Sequence, residues 1–309
     1  MRSSRRSRIA IDAATASTEQ LLTGNSRGGR WKGPLFQGLL LLCILIAVTM
    51  LLAVLLQALV EGWPRLDWNL VRNMPSSLDT SASGMNSALW GTIYVMAGLI
   101  VTVVPIGVSA AIYLEEFADK TKWYVRFIEL NVQNLAAVPS IVFGILGLAF
   151  IVRGPLNLGF VAYAASLTLA LLVLPTIILA ARESIRSVPS TIRQASMGLG
   201  ATRWRTIWHQ VLPAAVPGIV TGTILAISRA IGETAPLLLV GATVFVTYAP
   251  DGFFEGSYTV LPVQIFNWAV RPQEEFRILA FAGIILLMVV LLSMNSIAIW
   301  IRNKFTKEW

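Results

Sequence analysis

Long runs of apolar residues, separated by shorter stretches rich in charge, dominate the chain. A run of about 20 predominantly apolar residues is long enough to cross the hydrocarbon core of a bilayer as a helix. The pattern therefore predicts an all-α integral membrane protein with six transmembrane helices. Their expected positions are about 36–60, 88–114, 132–153, 157–181, 213–236 and 278–302.

The segment 237–249 is also apolar, but it has the length of a buried or re-entrant piece, shorter than a span. The basic residues agree with six spans, because 18 of the 24 Lys and Arg residues then fall on the inner side, five on the outer side and Arg229 within a span. A seventh span would place the basic C-terminus outside, against the positive-inside rule. We therefore expect cytoplasmic termini, a cytoplasmic segment 182–212, and outer segments at 61–87 and 250–277.

Composition narrows the function classes. The chain is 56% hydrophobic and 13% charged, whereas soluble domains are about 25% charged. In a membrane protein, basic inner loops explain the net charge of +8 without a nucleic-acid partner. The chain has one cysteine, Cys43, so it cannot form an internal disulfide. It has one histidine, His209, so it cannot form a multi-His metal site. Since no phosphate-binding Gly-rich loop, HExxH or GxSxG motif is present, we expect no ATP site, no cofactor and no catalytic residue in this chain.

The sequence divides into four parts. Residues 1–34 are rich in Ser, Arg and Gly, and we expect a disordered basic cytoplasmic tail there. Residues 35–87 would form the first transmembrane helix and an outer loop, 88–302 a five-helix core, and 303–309 a cytoplasmic C-terminus. The apolar run after the tail exceeds the roughly 7–15 residues of a signal-peptide core, which argues against a signal peptide.

One predicted span carries two opposite charges. The 15 residues before Arg229 are uncharged, and Glu233 follows four positions later, on the same helical face. A charge at the bilayer centre costs roughly 2.5–3.5 kcal/mol on insertion scales, so such residues normally face a bundle interior or a water-filled cavity. Gly232, Thr234 and Pro236 loosen the helix at this turn. The pair either lines a solute pathway, with Arg229 contacting an anion, or forms a structural salt bridge; we favour the pathway.

The segment before this span is polar and has helical signals. Ser190 is placed to cap a short helix and Gly200 to end it. Thr202 is placed to cap a second helix with one apolar face, formed by Trp204, Ile207, Trp208 and Val211. The pattern alone fits both a helix pair that meets a soluble partner and an amphipathic helix on the membrane surface.

The spacing in this segment resembles the EAA loop of bacterial ABC importer permeases: Glu-Ala-Ala, three residues, Gly, nine residues, Ile, one residue, Leu-Pro. The matching positions are Gln194, Ala195, Ser196, Gly200, Leu212 and Pro213. The chain departs from the motif at Gln194, Ser196 and Gln210, which replace Glu, Ala and Ile. The resemblance implies a loop that couples the permease to a separate ATPase.

Three further runs resemble the A-type permeases of phosphate ABC importers: AIYLEE (111–116), LAAVPSIVFGILGL (135–148) and SRAIGETAP (228–236). The resemblance covers about residues 35–305 and implies a MetI-like permease fold in a bacterial inner membrane. It implies as partners a homologous second permease, two ATPase subunits, an external phosphate-binding protein, phosphate and membrane lipid. It also implies a pathway lined by Arg229, Glu233 and Thr234, and alternating access driven by the ATPases.

Three alternatives remain open at this stage. The same architecture could carry another oxyanion, such as sulfate, molybdate or phosphonate. An ion-coupled carrier or channel would work without an ATPase. An intramembrane enzyme is disfavoured, because Glu233 is the only acid within the predicted spans. The outer aromatic residues fit either an interfacial belt or contact with a solute-binding protein; they are Trp63, Trp68, Phe253, Phe254, Tyr258 and Trp268.

Overall fold

The computed structural model describes residues 32–305, except Leu78 and residues 243–245, 247 and 249–251. Nearly all of the predicted tail and most of the predicted C-terminal part lie outside the described residues. In chain order the helices of the described residues are α1 (Lys32–Gly62), α2 (Trp68–Arg72), α3 (Asn86–Ile112), α4 (Trp123–Leu135), α5 (Ser140–Leu146), α6 (Ala162–Arg186), α7 (Ser190–Gly198), α8 (Arg203–Thr206), α9 (Leu212–Ile231), α10 (Ala235–Leu239), α11 (Leu261–Ala269) and α12 (Glu274–Phe305).

Three wider π-helical turns extend or join these helices. They extend α3 through Tyr113–Phe117 and α5 through Gly147–Val152, and they join α8 to α9 through Ile207–Val211. With these turns, the described residues contain five helical stretches that are long and apolar enough to cross a membrane: Gly33–Arg65, Asn86–Phe117, Ala162–Arg186, Arg203–Ile231 and Glu274–Lys304. The all-α membrane fold is therefore confirmed.

The sixth crossing is broken. α4 and the extended α5 meet at an angle of 111°, whereas the sequence pattern predicts one straight helix over 132–153. Pro139 is the physical reason, because proline disfavours helical backbone at the residue before it and lacks the N–H that a helix interior needs. α4 consequently ends at Leu135, and α5 begins directly after Pro139. We call α4 and α5 the bent pair.

Two other predicted boundaries were wrong by several residues. The span expected at 157–181 is α6, which starts at Ala162 because the chain turns before it through left-handed backbone at Asn157 and Gly159. The span expected at 213–236 ends at Ile231, and a separate helix, α10, follows. Half of the described residues in 237–249 are buried, namely Leu237, Val240, Ala242 and Val246.

The chain separates into two compact units, residues 1–56 and 57–309. In the described part of the first unit, α1 is apolar and its most hydrophobic window has no buried residue. In the second unit α6 is the central helix, with 67% of its window buried. Small residues allow this close packing: the Ser166 hydroxyl on α6 donates to the Val95 carbonyl on α3 at 2.9 Å.

The outer aromatic residues split into two groups. Trp63, Trp68 and Phe254 are exposed, which suits an interface or a partner, whereas Tyr258 and Trp268 are fully buried and belong to the core. The Tyr258 hydroxyl donates to the Val240 carbonyl at 3.1 Å, and burial raises the pKa of this phenol. A surface position, in a belt or against a partner, was therefore wrong for Tyr258 and Trp268, and Phe253 is half-buried.

Candidate functional site

The turn after α9 brings the two charges of the span together. The Gly232 amide donates to the Arg229 carbonyl and the Glu233 amide to the Ala230 carbonyl, each at 3.2 Å, so the helix tightens as it ends. Arg229 Nε lies 3.5 Å from Glu233 Oε1. The predicted pairing is present, although α9 ends between the two residues. The Arg229 side chain is 57% exposed and that of Glu233 is 18% exposed, so the guanidinium is open to a ligand.

The elements around this turn fix its position. Thr234 is half-buried and immediately precedes α10, without a side-chain capping hydrogen bond. Arg229 therefore lies in the last turn of α9, and Glu233 and Thr234 lie in the short non-helical segment that joins α9 to α10. α10 packs against α5 so closely that a Cβ on Gly144 would lie 2.7 Å from the Pro236 Cα. The second half of the bent pair thus holds the turn from one side.

A second candidate site is the α7–α8 segment, which we define as residues 190–206. Gly200 has φ +86°, the left-handed backbone expected after a helix end, and this prediction is confirmed. The Thr202 hydroxyl accepts a hydrogen bond from the Arg205 amide at 3.4 Å, as its capping role predicts. The capping role of Ser190 was wrong, because Pro189 occupies the cap position and Ser190 is already helical.

The apolar face of the second short helix is divided. Ile207 and Val211 are buried, while Trp204 is 60% exposed and Trp208 49% exposed. The π-helical turn that begins at Ile207 changes the angular spacing of these positions, so one continuous face was wrong. Leu199 is 90% exposed in the same segment. Exposed apolar side chains in this segment fit either of the two expected roles, a surface for a partner or contact with the membrane surface.

The positions that match the EAA loop serve two roles. Gln194, Ala195 and Gly200 are exposed, as is Pro213. Ser196 and Thr206 instead join their hydroxyl oxygens at 2.9 Å and hold α7 against α8. Leu212 is buried at the start of α9. The motif therefore both presents a surface and anchors it to the core.

A set of charged residues around the C-terminal ends of α3 and α6 was not predicted from the sequence. We call it the charge cluster; its members are Glu115, Glu116, Lys120, Glu129, Arg182, Arg186, Arg193 and Arg203. Glu116 and Arg182 are 7% and 5% exposed. Adjacent acids at the end of an apolar run, facing two arginines at the end of another, were the available signal. The run AIYLEE, which contains both acids, served only as part of the resemblance to phosphate permeases.

Comparison with known proteins identifies the class. Residues 103–307 match the family described as binding-protein-dependent transport system inner membrane component. This range is most of the chain, so the chain belongs to that family, and it is a multi-pass membrane permease component of the ABC importer class with the MetI-like fold.

The individual relatives are more specific. The chain is 35% identical over 230 residues to phosphate transport system permease protein PstA 1 of Mycobacterium tuberculosis, covering 74% of this chain and 73% of that protein. It is 31% identical over 259 residues to phosphate transport system permease protein PstA of Yersinia pestis, covering 82% and 84%. The crystal structure of a bacterial alginate ABC transporter, in complex with alginate pentasaccharide-bound periplasmic protein, matches with a TM-score of 0.61 at 16% identity, covering 90% of this chain and 99% of that one. This structural likeness concerns the fold alone.

Proposed function

We propose that this chain is the permease subunit of an ATP-driven ABC importer for inorganic phosphate and forms half of the translocation pathway. The observation that carries the proposal is the open Arg229 guanidinium in the turn that ends α9, paired on one side with Glu233. The similarity to phosphate permeases over most of the chain supports the choice of solute.

The chemistry of the pair suits an oxyanion that must be held briefly. A guanidinium offers planar, paired donors and stays charged at any physiological pH. Glu233 partly neutralises it, so a phosphate would bind weakly enough to leave. Fifteen residues separate Ala214 from Arg229, or about 22 Å of helix, which places the pair beyond the midplane of a roughly 30 Å hydrocarbon core.

In this proposal, the α7–α8 segment is the contact through which ATP hydrolysis drives transport. It faces the cytoplasm together with both chain termini, in a bacterial inner membrane, and its exposed residues meet one of two ATPase subunits. ATP hydrolysis takes place on those subunits. A homologous second permease supplies the other half of the pathway, and an external phosphate-binding protein delivers the solute.

The deciding experiment reconstitutes the purified complex in vesicles and measures uptake of labelled phosphate with and without ATP. We expect uptake that requires ATP and the ATPase subunits, and that excess sulfate, molybdate or phosphonate does not suppress. Equal uptake by this chain alone would replace the proposal by an ion-coupled carrier. Suppression by another oxyanion, with faster uptake of that ion, would replace only the solute.

A further inference from the structure

We propose that the charge cluster is the rigid link between the α7–α8 segment and the bent pair, and that Glu116 is the positioning residue that holds the segment in it. The inference rests on the proposed function, because it takes the α7–α8 segment as the place where an ATPase acts. The contacts that carry it are made by residues outside the positions that match the EAA loop.

The first step is the hold on α7. Arg193 of α7 donates to Glu116 Oε1 from Nη2 at 2.6 Å and from Nε at 3.0 Å. The same guanidinium donates to the Val188 carbonyl at 2.6 Å and to the Ile185 carbonyl at 2.9 Å. Carbonyls at a helix end have no partner within the helix, so Arg193 satisfies the end of α6 while it binds the end of α3.

The second step is the hold on α8. The Arg203 guanidinium donates to the backbone carbonyl of Glu116 and lies over the Phe117 ring, 5.6 Å from its centroid. Glu116 therefore binds α7 through its carboxylate and α8 through its main chain. Its position in the π-helical turn Tyr113–Phe117 follows a pattern in which such turns occur at functional sites.

The third step leads from α7 towards the bent pair. Glu115, next to Glu116, lies 3.5 Å from Arg182 and 3.2 Å from Arg186, both on α6. Arg182 also pairs with Glu129 on α4, the first half of the bent pair. Charges buried to this degree leave an uncompensated charge when a partner is withdrawn. Glu116 and Arg182 therefore each hold their own partners in place, and the peptide bond between Glu115 and Glu116 joins the two sets of ion pairs.

The last step reaches the turn after α9. α5, the second half of the bent pair, touches Pro236 through Gly144, and Pro236 lies three residues after Glu233. Side-chain contacts at each end, connected by the main chain of the bent pair between Glu129 and Gly144, thus join the surface offered to an ATPase to the charged turn. Energetic coupling along such a route of contacts must be measured.

The positioning role is tested on the full-length chain without any partner. Spin labels are placed on cysteines at Lys122 and Leu199, both exposed, in a Cys43→Ser background. We expect a narrow distance distribution that Glu116→Gln broadens. Glu183→Gln is the matched control, since Glu183 is 71% exposed and pairs with Arg186 within α6; it should leave the distribution narrow.

Arg193→Lys keeps the test decisive if Glu116→Gln folds poorly. Arg193→Lys retains the charge but loses the paired donors, so it should broaden the distribution partially. If Glu116 and Arg193 act as a unit, combining Glu116→Gln with Arg193→Gln should broaden it no more than either change alone. An unchanged distribution in Arg193→Lys, or additive effects in the double variant, would overturn the positioning role.

The link to transport is tested in the reconstituted complex as phosphate imported per ATP hydrolysed. We expect Glu116→Gln and Glu129→Gln to lower this ratio about fivefold, at the lower end of typical couplings between sites, and Glu183→Gln to leave it unchanged. A wild-type complex without ATP-dependent uptake would reject the proposed function and leave the spin-label result standing. A working wild type with an unchanged ratio in both variants would overturn the link itself.

Discussion

Two ion pairs, Arg229–Glu233 and Arg193–Glu116, show how differently one chain uses the same chemistry. The Arg229 side chain is 57% exposed, and its Nε lies 3.5 Å from Glu233. The Arg193 side chain is 21% exposed, and it donates to Glu116 and to two main-chain carbonyls at 2.6–3.0 Å. A guanidinium occupied by fixed acceptors holds helices together, whereas an open one is available to a solute. Burial and the number of acceptors therefore separate the structural pair from the candidate pathway pair.

The strongest way to break this comparison is Arg229→Gln. If the guanidinium contacts phosphate, the change should lower uptake per assembled complex by about 30-fold or more, since losing a charge pair that is desolvated when the solute binds costs roughly 2–5 kcal/mol. Uptake and the amount of assembled complex are measured on the same membranes. Arg229→Lys is the matched control, and it should retain part of the uptake because it keeps the charge. Reduced assembly with normal specific uptake would make Arg229 a structural clamp.

Glu233→Gln removes the partner but keeps the guanidinium. We expect uptake to fall about tenfold, because an unneutralised arginine would release the anion about tenfold more slowly, which corresponds to roughly 1.4 kcal/mol. Half-saturation for phosphate should decrease as turnover falls, since an unneutralised arginine holds the anion longer. Initial rates over a range of phosphate concentrations separate these two quantities. An increase in half-saturation would contradict the neutralising role of Glu233.

Gly200→Val tests whether the α7–α8 segment, which the Arg193–Glu116 pair holds in place, binds the ATPase. A left-handed backbone costs an L-residue with a side chain roughly 1–2 kcal/mol, so co-purification of the ATPase should weaken about five- to tenfold. Space is not the obstacle, because a Cβ on Gly200 would meet nothing within 4 Å. Gly198→Val is the control: its surroundings are equally open, and it lacks the positive φ. Equal losses in both variants would count against the backbone explanation.

The smallest expected effect on activity comes from topology labelling. Single cysteines at Leu199 and Glu255, both exposed, on a Cys43→Ser background should leave uptake nearly normal. A membrane-impermeant thiol reagent should reach Leu199→Cys only from the cytoplasmic side and Glu255→Cys only from outside. Labelling of both from one side would reject the six-span orientation, and with it the assignment of the α7–α8 segment to an ATPase.

The sequence predicted the contact between Arg229 and Glu233 better than it predicted the bent pair. A charge within an apolar run is conspicuous, because the bilayer makes it costly, so Arg229 and Glu233 could be found without coordinates. The break at Pro139 also had a local signal, since the residue before a proline avoids helical backbone. The continuous apolar character of 132–153 outweighed that signal and led to a straight span.

What the sequence determined by itself is local: the apolar segments, the left-handed Gly200 just after the end of α7, and the cap at Thr202. Hydrophobic period and backbone preference act over a few residues, and they can be read along the chain. Only the tertiary structure decided that Arg193 binds Glu116, 77 residues away in sequence. That choice depends on how α3, α6 and α7 pack, because a buried charge takes whichever partner the packing places within reach.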